Sequence, residues 1–175
     1  SGRKGGIYHK IQVELTYNSN HIEGSRLTAD QTRYIFETNT IGVLKDETVN
    51  VDDIIETSNH FRCIDLIIEN RGKRLSEAFI KELHRILKSG TSDSRKAWFA
   101  VEDYKKQPNE VGGEITTLPR DVHAEMRRLL SDYENGAPKT LEDIVEFHAR
   151  FEKIHPFQDG NGRVGRLIMF KECLR

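Results

Sequence analysis

Cysteine is nearly absent. Cys63 and Cys173 are the only two, each inside a helix-like stretch, which excludes a disulfide framework and a zinc site and suits a reducing compartment, by default the cytoplasm. Charge of one sign is also lacking: 27 Lys and Arg stand against 28 Asp and Glu, a formal net charge of -1. Without an excess cationic field, nucleic acid is not an expected partner. No uninterrupted apolar run is long enough to cross a bilayer, and the opening SGRKGGIYHK lacks the apolar stretch of a signal peptide, so no membrane association is expected. Repeats, low-complexity tracts and linkers are missing too, which leaves one domain of 175 residues, long enough to bury a core without staples. The chain opens on Ser1 rather than methionine, and SG reads as a cleavage scar or the edge of an excised fragment.

What is present is a repeated helical grammar. In NVDDIIETSNHFRCIDLIIENRG, Asn50 can cap, the Asp pair suits the positive helix end, Ile54, Phe61, Ile64 and Ile68 form a stripe, and Gly72 can stop the helix. LSEAFIKELHRILKSG repeats the pattern with Ser76 as cap, Phe79, Leu83, Ile86 and Leu87 as buried face, and Gly90 as terminator. LPRDVHAEMRRLLSDYENG has Pro119 near its first turn and Gly136 at its end. TLEDIVEFHARFEKI carries a Thr140–Asp143 capping box and a stripe of Ile144, Phe151 and Ile154. Upstream, TADQTRYIFETN predicts a shorter helix capped by Thr28, and GIYHKIQVELTYNSN places Ile7, Ile11 and Leu15 at four-residue spacing, predicting a first helix. Between Gly90 and Pro119 the helical period vanishes, and NEVGGEITTLP predicts a β-hairpin flap turning at Gly112 and Gly113. The expected fold is all-α with one small hairpin. Because VGRLIMFKECLR ends inside a helical pattern, the natural chain is expected to continue past Arg175.

Chemistry concentrates in HPFQDGNGRVGR, residues 155–166. Gly160, Gly162 and Gly165 have dinucleotide-fingerprint spacing, but a helix rather than a strand precedes them. Asp159 and Asn161 open like a calcium loop, yet Arg163, Val164 and Phe170 occupy its fifth, glycine and final acidic positions. A P-loop needs Lys followed by Ser or Thr after its glycine, where Arg163 and Val164 stand instead. What remains is the physics these motifs share: glycines let backbone N–H groups approach an anion, and the helix beginning near Gly162 points its positive end at it. Arg163 and Arg166, three apart, suit a multiply charged group such as a polyphosphate. Asp159 beside them suits Mg²⁺, which takes few protein oxygens plus substrate phosphates, although an aspartate here also fits a plain helix cap. His155 is the only group in the loop that exchanges a proton near neutral pH. Together these residues point to nucleotide chemistry.

The twelve residues resemble the signature of the Fic (filamentation-induced-by-cAMP) family at every fixed position. Members typically transfer AMP from ATP to protein hydroxyls. The resemblance implies a Fic-type helical bundle in which the motif joins two helices and a hairpin flap registers the target's extended segment. By position it implies His155 as general base toward a Tyr, Ser or Thr hydroxyl, Asp159 as Mg²⁺ ligand, Gly160, Asn161 and Gly162 as phosphate cradle, and Arg163 and Arg166 on the pyrophosphate side. The flap residues Val111, Gly112, Gly113 and Glu114 count with the nucleotide site, and the protein target docks along 111–117.

A second segment, SNHIEG from Ser19 to Gly24, resembles the family's inhibitory pattern of Ser or Thr, three residues, Glu, then Gly or Asn. The resemblance implies that Glu23 pairs with Arg166 and keeps ATP from seating, with an ordinary helix-end acid as the bland alternative. Residues 1–27 are then an N-terminal segment with an inhibitory helix, and residues 28–175 a Fic core truncated at its C-terminal end. The expected activity is a self-inhibited protein adenylyltransferase using ATP and Mg²⁺, with self-modification; association into a homo-oligomer stays open. Its rivals are hydrolytic removal of AMP, alone or alongside transfer, and a catalytically silent nucleotide-sensing or interaction module.

Overall fold

The computed structural model describes residues 6–135 and 138–175. Among them are seven helices: α1 (Ile7–Ile22), α2 (Ala29–Thr38), α3 (Val51–Glu69), α4 (Glu77–Lys88), α5 (Pro119–Glu134), α6 (Leu141–Ile154) and α7 (Asn161–Leu174). The only strands described are β1 (Glu110–Val111) and β2 (Glu114–Ile115), paired antiparallel with Val111 opposite Glu114. The all-α fold with a small hairpin therefore stands. No described helix is long and apolar enough to cross a membrane.

Local chemistry sets the helix starts. Asn50 accepts from the Asp52 amide and Ser76 from the Phe79 amide, while Thr140 and Asp143 form a reciprocal capping box. Thr28 and Gln31 make a second such box. Pro119 sits at the first turn of α5; Gly136, the expected end of that helix, lies outside the described residues. Gly112 and Gly113 both have positive φ, 60° and 85°, as a two-residue hairpin turn requires.

One large apolar cluster joins α3 to α7, built on Ile64, Ile67, Leu83, Leu87, Met126, Phe151, Phe157 and Leu167. The α3 stripe is divided: Ile64 belongs to this core, whereas Phe61 and Ile54 pack with Leu27 and Ile35 in a smaller cluster beneath α2. That helix also ends at Asn70, two residues before the expected Gly72.

The first helix forms as expected, but its four-residue apolar spacing does not mark its inward face. Ile7 and Ile11 are 80% and 40% exposed, and only Leu15 touches the core. Gln12, Thr16, Ser19 and Asn20 are buried instead. Gln12 donates to Asp65 (3.1 Å), Asn20 donates to Thr57 (3.2 Å), and Thr16 bonds the ring Nδ1 of His60 (2.8 Å). A helix can bury a polar face when the facing helix supplies partners, and α3 supplies them. Spacing of apolar residues alone cannot register that.

His60 is fully buried, and its imidazole is pushed down to about 3 by burial, with Arg163 and Arg166 adding to the shift. The unfolded chain takes up a proton near the ordinary imidazole value of 6.5, the native one only near 3. Stability is complete above pH 6.5 and falls as pH falls toward 3. Urea unfolding at pH 5 against pH 7.5 should register a loss of about 2 kcal/mol from this residue, absent in His60→Asn.

Candidate active site

Residues 155–160 form the loop between α6 and α7. His155 ends α6 in the left-handed region (φ 51°, ψ 61°), its amide closing the helix on the Phe151 carbonyl at 2.9 Å. A non-glycine residue in that conformation is held there by its surroundings. Phe157, fully buried, stacks on His84 with centroids 3.9 Å apart, and the Asn161 side chain bonds both the amide (2.7 Å) and the carbonyl (2.8 Å) of Phe157. The loop is thus locked from inside by Asn161, whose side chain faces inward. The His155 Nδ1 lies 3.3 Å from the Glu152 carbonyl, so Nδ1–H donates there and Nε2 keeps its lone pair. Burial lowers the His155 imidazole below its usual range, which keeps it neutral and able to accept a proton at pH 7.

Gly160 is the N-cap of α7, with φ 83° and no side chain capping the helix. The first amides of a helix have no intrahelical acceptor and carry the positive dipole end. Asp159 therefore does not cap. Its Oδ2 accepts from Lys88 Nζ (2.6 Å) and Arg163 Nη2 (3.2 Å). Burial opposes its ionisation, but Lys88 and Arg163 outweigh that and carry it down to about 2. No group of three or more potential ligand side chains occurs among the described residues. A lone, ionised, half-exposed carboxylate fits Mg²⁺, which keeps water and substrate oxygens in most positions.

Arg163 is buried. Its guanidinium pairs with Glu56 of α3, and Glu56 in turn binds Lys88 Nζ at 2.5 Å. Arg166, one turn on, points to α1: Nε donates to Ser19 Oγ (2.9 Å), and Nη2 donates to the Ser19 carbonyl (3.0 Å) and to Glu23 Oε1 (2.5 Å). The Glu23 carboxylate also lies directly against the position a Cβ would take on Gly162, at the mouth of α7. Gly24, with φ 95°, turns the chain away immediately afterwards. Ser19, Glu23, Gly162 and Arg166, up to 147 residues apart, form one cluster. Val111, Gly112, Gly113 and Glu114 are all exposed at the hairpin tip.

The sequence profile of the Fic/DOC family matches residues 74–173, more than half of the chain. The chain belongs to the Fic/DOC family. Ser19 and Glu23 lie outside the range matched. The Fic chain is 27% identical over 161 residues to the protein adenylyltransferase Fic of Drosophila mojavensis, covering 87% of itself and 30% of that relative. With its namesake from Nematostella vectensis it shares 27% over 157 residues, 87% of the chain and 35% of the relative. It therefore spans about a third of the curated relatives it matches. A Fic domain-containing signalling protein from Bacteroides thetaiotaomicron superposes with a TM-score of 0.81 at 29% identity, over 95% of this chain and 63% of that one.

Four residues of the Fic site escaped sequence reasoning: Glu56, Lys88, His84 and Lys105. Two left a signal. His84 and Lys88 interrupt the apolar face of α4 at i, i+4 spacing, where a charged face would be expected to turn outward. His84 supports the loop from below, 3.0 Å from the Asp159 carbonyl.

Glu56 is the acid shared by two buried cations, so removing it leaves both short of a partner. Glu56→Ala should destabilise the fold by about 3 kcal/mol, and Glu56→Gln by less, measured as the shift in urea midpoint at constant slope.

Proposed function

We propose that this chain is the catalytic core of a protein adenylyltransferase, using ATP with Mg²⁺, held at low activity by Glu23. The observation that carries the reading is the single loop that joins a neutral, half-buried His155 to the uncapped start of α7, with Asp159 and Arg166 flanking it. The names of the curated relatives support it.

A target Tyr, Ser or Thr hydroxyl gives its proton to His155 Nε2 as its oxygen attacks the α-phosphorus. The new O–P bond forms while the bond from the α-phosphorus to the bridging oxygen breaks, and pyrophosphate leaves with that electron pair. The amides of Asn161 and Gly162 at the start of α7 bind phosphate oxygens. Arg163, fixed by Glu56, contributes field more than direct contact, and Arg166 meets the terminal phosphate once free of α1. Asp159 would hold Mg²⁺, which would supply charge neutralisation for the phosphates. The exposed edge at 111–117 pairs with the target backbone, so main-chain register matters more than side-chain identity. Free thiols at Cys63 and Cys173 suit a cytoplasmic protein.

With Glu23 engaged, the terminal phosphate has no free guanidinium, and the carboxylate opposes an anion at the mouth of α7. A misplaced triphosphate puts the α-phosphorus out of line with the hydroxyl. The position of Glu23 over Gly162 favours a second reading, in which the same carboxylate aligns water for removal of AMP from a modified target.

Intact-mass spectrometry after MgATP treatment tests this. Glu23→Gly should add AMP to itself while the parent adds little, and Glu23→Gly with His155→Ala should fall by about 10²–10⁴-fold with nucleotide binding retained. An unmodified, folded Glu23→Gly protein would refute the proposed transfer and with it the inhibitory role of Glu23. Gly113→Pro cannot keep φ 85°, and should impair modification of a protein target far more than ATP binding. Equal loss of both would argue against docking on the hairpin.

A further inference from the structure

Lys105 lies between the hairpin and the motif loop, is 3% exposed, and serves neither chemistry nor the main core as described so far. Its ammonium donates to Asn109 Oδ1 (2.7 Å), Thr116 Oγ1 (2.6 Å) and the Ile154 carbonyl (3.4 Å). All three acceptors are uncharged. Asn109 stands at the entry to the hairpin and Thr116 at its exit, and the Thr116 amide donates to the Asn109 carbonyl at 3.2 Å. Ile154 is the residue before His155. The stem makes further bonds to the same loop: the Lys105 amide to the Pro156 carbonyl (2.8 Å), Asn109 Nδ2 to the Phe157 carbonyl (3.0 Å), and the Gln107 amide to Gln158 Oε1 (3.2 Å).

A buried cation with only neutral acceptors is a poor way to stabilise a fold. Taking an ammonium out of water costs several kcal/mol, and a carboxylate, absent here, is what usually offsets it. Burial lowers the Lys105 ammonium to about 8, a shift with no carboxylate opposing it. The hub position accounts for a lysine better than stability does. Three donors on one atom can hold both ends of a hairpin and one carbonyl of the catalytic loop together, which no apolar side chain does.

We infer that Lys105 is a positioning residue: it pins the base of the hairpin to the backbone beside His155, fixing the distance between the edge that takes the target and the atom that takes its proton. The inference rests on the proposed roles of hairpin and His155. The ammonium also acts on His155 through space. Facing that imidazole are Lys105 from the hairpin stem, which disfavours its protonation, and Glu152 of α6, Asp159 of the loop and Glu23 of α1, which favour it. Lys105 thus serves both to place the base and to keep it neutral.

Hydrogen exchange and an NMR titration of the His155 ring test the inference on the Glu23→Gly chain without any substrate. Lys105→Met should speed exchange of the 110–116 amides by about tenfold while α3 and α7 keep their protection, and should move the His155 midpoint upward. Lys105→Arg should keep the midpoint in place, because the charge remains. Thr116→Val deletes one acceptor and keeps the ammonium, so it should loosen the hairpin without moving the midpoint. Unchanged hairpin exchange in Lys105→Met, an unmoved midpoint, or faster exchange throughout the chain would each overturn the inference, the last by revealing a general structural role. Should these readouts behave as expected while the Glu23→Gly chain transfers no AMP to itself, the transferase reading fails and the placement of Lys105 stands.

Discussion

The site depends on a knot of charges around two buried cations. Lys88 of α4 is held by Glu56 of α3, by Asp93 and by Asp159 of the loop, and Arg163 of α7 by Glu56 and Asp159, in a region where Lys88 and Arg163 have almost no contact with water. Each of these charges would be prohibitive to bury alone. Together they fix where α3, α4 and α7 meet, because the ions tolerate little change in spacing before one loses its partner. Asp159 pays part of its charge into this knot and still presents a half-exposed carboxylate to the cleft, held ionised by its neighbours.

Around that knot the loop is over-determined. Asn161 closes it from within, the stack of Phe157 on His84 supports it, and the stem of the hairpin bonds its carbonyls from outside. His155 can therefore sit in a left-handed backbone conformation that a looser loop would abandon. Pre-organisation of this kind matters for phosphoryl-group chemistry, where positioning and electrostatics do most of the work.

Helix α1 is bound differently from the others. Its contacts with α3 and α7 are mostly hydrogen bonds and one ion pair, with Leu15 reaching the main apolar cluster, while Ile7 and Ile11 face outward. A polar interface of this sort exchanges protein partners for water at modest net cost. It contrasts with the apolar contacts that hold α3 to α7.

The caps at Thr28, Asn50, Ser76 and Thr140, the glycine turn of the hairpin and the loop from His155 to Arg166 were legible in the sequence, because each is set by residues within a few positions of one another. The inward face of α1 was not, since apolar spacing is blind to a polar face whose partners come from another helix. Nor were Glu56 and Lys105, whose charges look like ordinary solvated ones until distant segments enclose them, while Lys88 left only its place on the apolar face of α4 as a signal. The sequence by itself determined the helical grammar and the glycine-rich loop from His155 to Arg166, with the residue types it carries. Only the tertiary structure decided that Arg163 is the buried motif arginine, held by Glu56, because that depends on which helix packs over the side chain, and burial is a property of the packed chain rather than of neighbours along it.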